Sequence, residues 1–212
     1  MFANRNGFYY TLDRTTGKLI VAKPFVNTTW AKEIDSTGRP ILLPGHEPDE
    51  KGEVTCPDIT GGTNFWPPTF DPSTRTFFVN AREVCMTFYA WKPEYEEGSR
   101  FTGGAGQRAR GPDMPVYGAL RAIDPATGQR KWTFPMYDLT DAGVLTTASD
   151  VLFTGGRDGY FYALDARSGS ELWKTSFGSV SLRSSPMTYE ADGKQFVAVI
   201  GGHVLAAYGL RE

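Results

Sequence analysis

Few of the 212 residues have a type and spacing that suggest chemistry. The two cysteines, Cys56 and Cys85, are open to three readings: free thiols, a structural disulfide or a redox pair. They do not form a CxxC unit, which weakens a thioredoxin-like reading, and no CxxCH occurs to attach a c-type haem. His46 and His203 are the only histidines and lie far apart, so a His-based zinc site lacks its spacing. Two other polar residues stand out. Arg5 carries a permanent, forked cation, which suits paired oxygen acceptors. Asn64 follows Gly61-Gly62-Thr63 and precedes Phe65 and Trp66. By residue type alone, Arg5 is an exposed arginine, Asn64 a turn residue and the two aromatics part of a core.

The elements that position these residues must be strands. Glycine (24) and proline (14) are too frequent for a helical protein, and aromatics at 14% favour sheets. No amphipathic helix longer than ten residues is convincing. A net charge of −2, with no dominant basic patch, gives nucleic-acid binding little support. No apolar run reaches the ~18–20 residues of a membrane span. The opening Met1-Phe2-Ala3-Asn4 has no apolar core of the signal-peptide kind, so the chain is expected to carry no export signal of its own.

A repeat organises the chain. Gly7, Gly118 and Gly159 are each followed six residues later by Asp13, Asp124 or Asp165, and four residues after that by Gly17, Gly128 or Gly169. Trp132 and Trp173 stand eight positions after the last two aspartates, where the first copy has Val21. Aliphatic and aromatic residues before each Asp suit a strand. The carboxylate can accept backbone N–H groups of a turn, and the closing glycine permits positive φ. This is a hairpin. Asp71 to Arg75 is a weaker copy, with Arg75 where glycine is expected, and Asp35 to Gly38 is a related turn. The second and third copies start 41 residues apart, the length of one four-stranded propeller blade. At about 40 residues per blade, the chain holds four to five blades. A degenerate blade is expected near 64–91, with insertions near 36–63 and 92–117. The fold predicted is all-β, a partial propeller over 1–212 forming an open arc.

The unit Ala-x-Asp-x-x-(Thr/Ser)-Gly-x-x-x-Trp, at Ala122 to Trp132 and Ala163 to Trp173, resembles the tryptophan-docking repeat of quinoprotein propellers. In those, eight four-stranded blades close a ring. Arg5 to Arg14, Lys23 to Ala31, Gly62 to Pro68 and Val84-Cys85-Met86 resemble successive segments of pyrroloquinoline quinone (PQQ)-dependent alcohol dehydrogenases. Gly143 to Ala148 and Gly193 to Val199 resemble the closing blades. The likeness runs nearly the whole chain in family order and identifies it as the C-terminal part of such an enzyme.

The resemblance implies hydride transfer from a primary alcohol or similar substrate to PQQ, with Ca²⁺ or a lanthanide in the complete enzyme. It implies that Arg5 bonds the quinone oxygens as negative charge develops on them. It places Asn64 at the cofactor's carbonyl oxygens and Phe65 beside it, where many relatives have Trp. It implies a Cys56–Cys85 disulfide, hence an oxidising compartment, the periplasm. Asp141 stands where methanol-oxidising relatives place a Trp and is read here as a loop residue. No segment matches the metal ligands, the general base or the vicinal cysteine pair, so no catalytic or metal-binding residue is assigned. The partners implied are the remaining N-terminal blades, a small alcohol and a cytochrome c electron acceptor. The competing reading is a cofactor-free propeller scaffold, which has no need of Arg5, Asn64 or the cysteine pair.

Overall fold

The computed structural model describes residues 1–114 and 116–210, whose regular structure is entirely β. The first sheet joins β1 (Phe2–Ala3), β2 (Phe8–Leu12) and β3 (Leu19–Pro24) in chain order. A two-stranded ribbon, β4 (Ala31–Ile34) and β5 (Pro40–Leu42), follows. Next come β6 (Glu53–Thr55), β7 (Thr69–Asp71), β8 (Thr76–Glu83), β9 (Met86–Ala90), β10 (Gly104–Arg108), β11 (Tyr117–Ile123) and β12 (Arg130–Pro135). These divide between a four-stranded sheet, β7-β8-β11-β12, and a small accessory sheet, β6-β9-β10. The third main sheet runs β13 (Leu145–Thr146), β14 (Val151–Gly155), β15 (Tyr160–Asp165) and β16 (Glu171–Ser176). The fourth holds β17 (Met187–Ala191), β18 (Lys194–Gly201) and β19 (Val204–Gly209). All these pairings are antiparallel.

The four main sheets stack face to face in chain order, as successive propeller blades do. Strand alternation makes this possible. On β11, Ile123 faces the first sheet with Tyr9, Phe25 and Val79, while Leu120 and Ala122 face the third with Leu152, Tyr162 and Leu164. Phe161, Leu182, Val197 and Val199 fill the gap between the third and fourth sheets.

The strands correct the expected layout. Residues 64–91 are not a degenerate blade. They supply β7 and β8, the first half of the sheet that β11 and β12 complete, and then β9. The long gap between the first and second repeat copies therefore contains no extra blade. It contains an excursion between the second and third strands of one blade, leaving β8 at Val84 rather than at 92 and carrying β9 and β10. The stretch 36–63 likewise carries β5 and β6. Of the four main sheets, two have four strands and two have three.

Each repeat turn is built as its residues require. Asp13 Oδ1 accepts the N–H of Thr15 (2.7 Å) and Thr16 (2.9 Å), and Asp165 Oδ1 those of Arg167 and Ser168. Gly17, Gly128 and Gly169 close the turns at positive φ. Hydrogen bonds from the Thr16 and Thr15 backbone hold the Asp13 carboxyl below the usual carboxylate range. Arg75 closes the Asp71 turn at φ 49°, a region that costs an L-residue about 1–2 kcal/mol. We expect Arg75→Gly to stabilise the chain by about 1 kcal/mol, read from its urea midpoint. An unchanged or lower midpoint would count against strain at this turn.

Successive blades are latched at one point of the turn. Trp132 Nε1 donates to the Ala166 carbonyl at 3.2 Å, with its ring lying over Gly169. At the preceding interface Val21 stands over Gly128 and offers no donor. There the Thr11 hydroxyl donates to the Pro125 carbonyl at 2.7 Å. Pro125 and Ala166 each directly follow the turn aspartate.

Candidate functional site

Arg5 sits at the tip of the tight turn from β1 to β2. Gly7 N–H donates to the Asn4 carbonyl, and Trp30 Nε1 clamps the Asn6 carbonyl at 2.8 Å. The Arg5 backbone lies directly against the 58–62 loop. Gly62 N–H donates to the Arg5 carbonyl, and a Cβ at Gly61 would come within 2.5–2.7 Å of Arg5 atoms. Gly61 is thus what allows the two segments to touch, while the absent Cβ of Gly62 makes room for Val26 and Phe25.

The side chains meet on the same loop. Arg5 Nη2 donates to the Ile59 carbonyl, and Asn64 Nδ2 donates to the next carbonyl, that of Thr60, at 2.8 Å. The Arg5 guanidinium is exposed and Asn64 half-buried. Four guanidinium N–H donors and one amide N–H remain for another partner. Phe65 is 82% exposed, so it does not belong to the core. It packs on Trp66 with ring centroids 5.0 Å apart. A forked cation, an amide and an exposed ring within one loop cluster fit a planar, oxygen-rich group. Sequence reasoning had placed Arg5 and Asn64 59 positions apart in the chain, and the structure brings them to adjacent carbonyls.

The loop is braced from beneath. Asp58 Oδ1 accepts the N–H groups of Thr60 and Gly61, each at 3.0 Å, while its other oxygen meets Arg82 Nη2 at 3.5 Å. Arg82 is 2% exposed, lies 5.8 Å from the Trp66 ring centroid and donates to Asp141 Oδ1 at 2.5 Å. Asp141 also accepts from Arg157 Nε at 2.5 Å and lies 4.0 Å from Arg183. Asp141 does lie in the loop between β12 and β13, as its reading as a loop residue expects, but it is no bland surface position. It is 3% exposed and anchors a buried chain of charges, Asp141–Arg82–Asp58, that ends at the turn held by Arg5 and Asn64. No local signal marks it, because Arg82 stands 59 residues upstream.

Cys56 and Cys85 form a disulfide across a separation of 29 residues. It ties the start of this loop to the end of β8, where Asp58 N–H also donates to the Val84 carbonyl at 2.8 Å. Among the described residues, no cluster of three or more His, Cys, Asp or Glu side chains is placed to hold a metal ion. No helix among them is long and apolar enough to cross a membrane.

Residues 113–197 match the PQQ family, glucose/ethanol/alcohol dehydrogenase, beta-propeller domain. A quinoprotein ethanol dehydrogenase of Pseudomonas aeruginosa is 41% identical over 211 residues, covering 95% of this chain and 34% of that protein. Quinoprotein alcohol dehydrogenase PedE of Pseudomonas putida is 39% identical, with 95% and 33% covered. Among solved structures, a europium-containing methanol dehydrogenase superposes with a TM-score of 0.83 at 35% identity, over 94% of this chain and 36% of that one. A quinohemoprotein alcohol dehydrogenase from Comamonas testosteroni gives 0.86 at 31% identity, over 94% and 31%. The chain spans about a third of the length of the relatives it matches, in their C-terminal part. By repeat, sheet order and likeness along nearly its whole length, the chain belongs to the quinoprotein alcohol dehydrogenase family as a partial β-propeller.

Proposed function

We propose that this chain forms one wall of the PQQ pocket of an alcohol dehydrogenase, with Arg5, Asn64 and Phe65 as its cofactor contacts. One observation carries the reading: Arg5 and Asn64 reach adjacent carbonyls of one glycine-flanked loop, each with donors to spare. Bound PQQ would supply the hydride acceptor. Arg5 would hold its oxygens by charge-assisted hydrogen bonds, Asn64 would add a neutral donor, and the exposed ring of Phe65 would offer an apolar face. Arg82 and Asp58 position the loop without touching the cofactor. The alcohol, the Ca²⁺ or lanthanide ion with its ligands, and the general base would belong to the remaining blades. A cytochrome c would accept the electrons. The disulfide supports an oxidising compartment, which we take to be the periplasm.

Fluorescence titration of the purified chain with PQQ in the presence of Ca²⁺ tests this. We expect saturable binding, weakened about tenfold or more by Arg5→Ala, as suits loss of a hydrogen bond from a charged group. A variant that binds PQQ equally well would remove Arg5 from the cofactor site, and a folded chain that binds none would leave the family standing but mark this chain as an incomplete piece or a scaffold.

A further inference from the structure

The cleft of about 300 Å³ between the second and third blades, walled by Phe134, Met136, Tyr162, Glu171 and Lys174, has a larger, cationic counterpart between the first two blades. That counterpart measures about 510 Å³ and is walled by Lys23, Phe25, Arg121, Gly128 and Arg130 among others. The two linings differ at several equivalent positions, with Lys23, Phe25, Arg121 and Arg130 standing where the other cleft has Phe134, Met136, Tyr162 and Glu171. At the next interface the Trp132 ring fills the space over Gly169. Here the equivalent residue is Val21, and the space over Gly128 is shared by Val21 and the stem of Lys23. The aromatic ring over the turn glycine is replaced by an aliphatic side chain and the stem of a cation.

The charge in this opening is not balanced. Arg121 is 2% exposed and pairs through Nη2 with Glu83 Oε1. The other Glu83 oxygen is taken by the N–H of Asn27 at 2.9 Å. Nε and Nη1 of Arg121 are buried with no hydrogen-bond partner. Charged donors in that state are costly and rare, and call for an acceptor. Lys23 and Arg130, both exposed, add two more cations, and none of the lining residues is acidic. Water alone can accept these hydrogen bonds but cannot offset three cations against one carboxylate. We propose that the cleft is an oxyanion site that takes a small carboxylate or phosphate group onto Arg121, with Lys23 and Arg130 at its mouth. This site is separate from the loop that holds Arg5 and Asn64, and it does not rest on the PQQ reading.

The test uses the full chain and two probes at constant ionic strength, inorganic phosphate followed by ³¹P line broadening and citrate followed by ¹H line broadening. Saturable broadening of either is expected, and which probe binds more tightly tells a phosphate site from a carboxylate site. The double variant Lys23→Ala/Arg130→Ala removes only exposed side chains and leaves the Arg121–Glu83 pair intact. It should weaken binding about tenfold or more. Arg130→Glu places at the mouth the acidic residue that the second cleft carries as Glu171, leaves the Arg121–Glu83 pair intact, and should abolish binding. If neither probe binds the wild-type chain saturably, if the double variant binds as tightly, or if a folded Arg130→Glu chain still binds, the proposal fails.

Discussion

Asp141→Ala will lower the stability of the chain by about 3–5 kcal/mol, the size expected when one partner of a buried ion pair is removed. The reason is what the substitution leaves behind. Arg82 is 2% exposed, and without Asp141 its only remaining anionic contact among the described residues is Asp58 at 3.5 Å. Its Nε already lacks a partner. Arg157 has a side chain 27% exposed and can turn to solvent, so Arg157→Ala should cost far less. With a urea m-value of about 2–3 kcal/mol/M, Asp141→Ala should shift the midpoint by roughly 1–2 M. The substitution should also weaken PQQ binding, because Arg82 braces Asp58 and Asp58 holds the N–H groups of Thr60 and Gly61. A midpoint shift no larger than that of Arg157→Ala would show that the network does not depend on Asp141.

Removing the disulfide should rank second. Opening a loop closed across 29 residues costs about 3–4 kcal/mol by loss of the constraint on the unfolded chain. Cys56→Ala/Cys85→Ala should lower the urea midpoint by that equivalent, and a reductant should do the same to the wild type but nothing to the variant. The small cluster around the bridge, with Ala109 and partly buried Val54 and Met114, offers little apolar burial to compensate. Reductant sensitivity that persists in the double variant would disprove the assignment, since the described residues contain no other cysteine.

The sequence made some of this legible and hid the rest, for physical reasons. The Asp-to-Gly turns could be read because every bond that makes them lies within five residues. The blade boundaries could not. The Asp71 turn joins β7 to β8, whereas the Asp124 turn joins β11 to β12 of the same sheet, and the intervening excursion with β9 and β10 disguised two hairpins of one blade as two blades. Arg5 and Asn64 were identifiable only through family likeness, because what joins them is a contact permitted by Gly61. Asp141 was read correctly as a loop residue, but its burial was hidden because nothing in Leu139-Thr140-Asp141-Ala142 signals it. Its environment is set by arginines on other strands and loops.

The two interblade latches differ in their donors, an indole in one case and a threonine hydroxyl in the other, but both end on a main-chain oxygen just after the turn aspartate. A main-chain oxygen survives any substitution, and position 125 is even occupied by proline. Half of each latch is therefore immune to mutation. Drift at these interfaces need only conserve a donor within reach, from either of two strands. A chain built this way can change the residues that wall an interblade cleft, cationic at one interface and aromatic at the next, while the blades stay in register, so new binding chemistry can arise between blades without redesigning the ring.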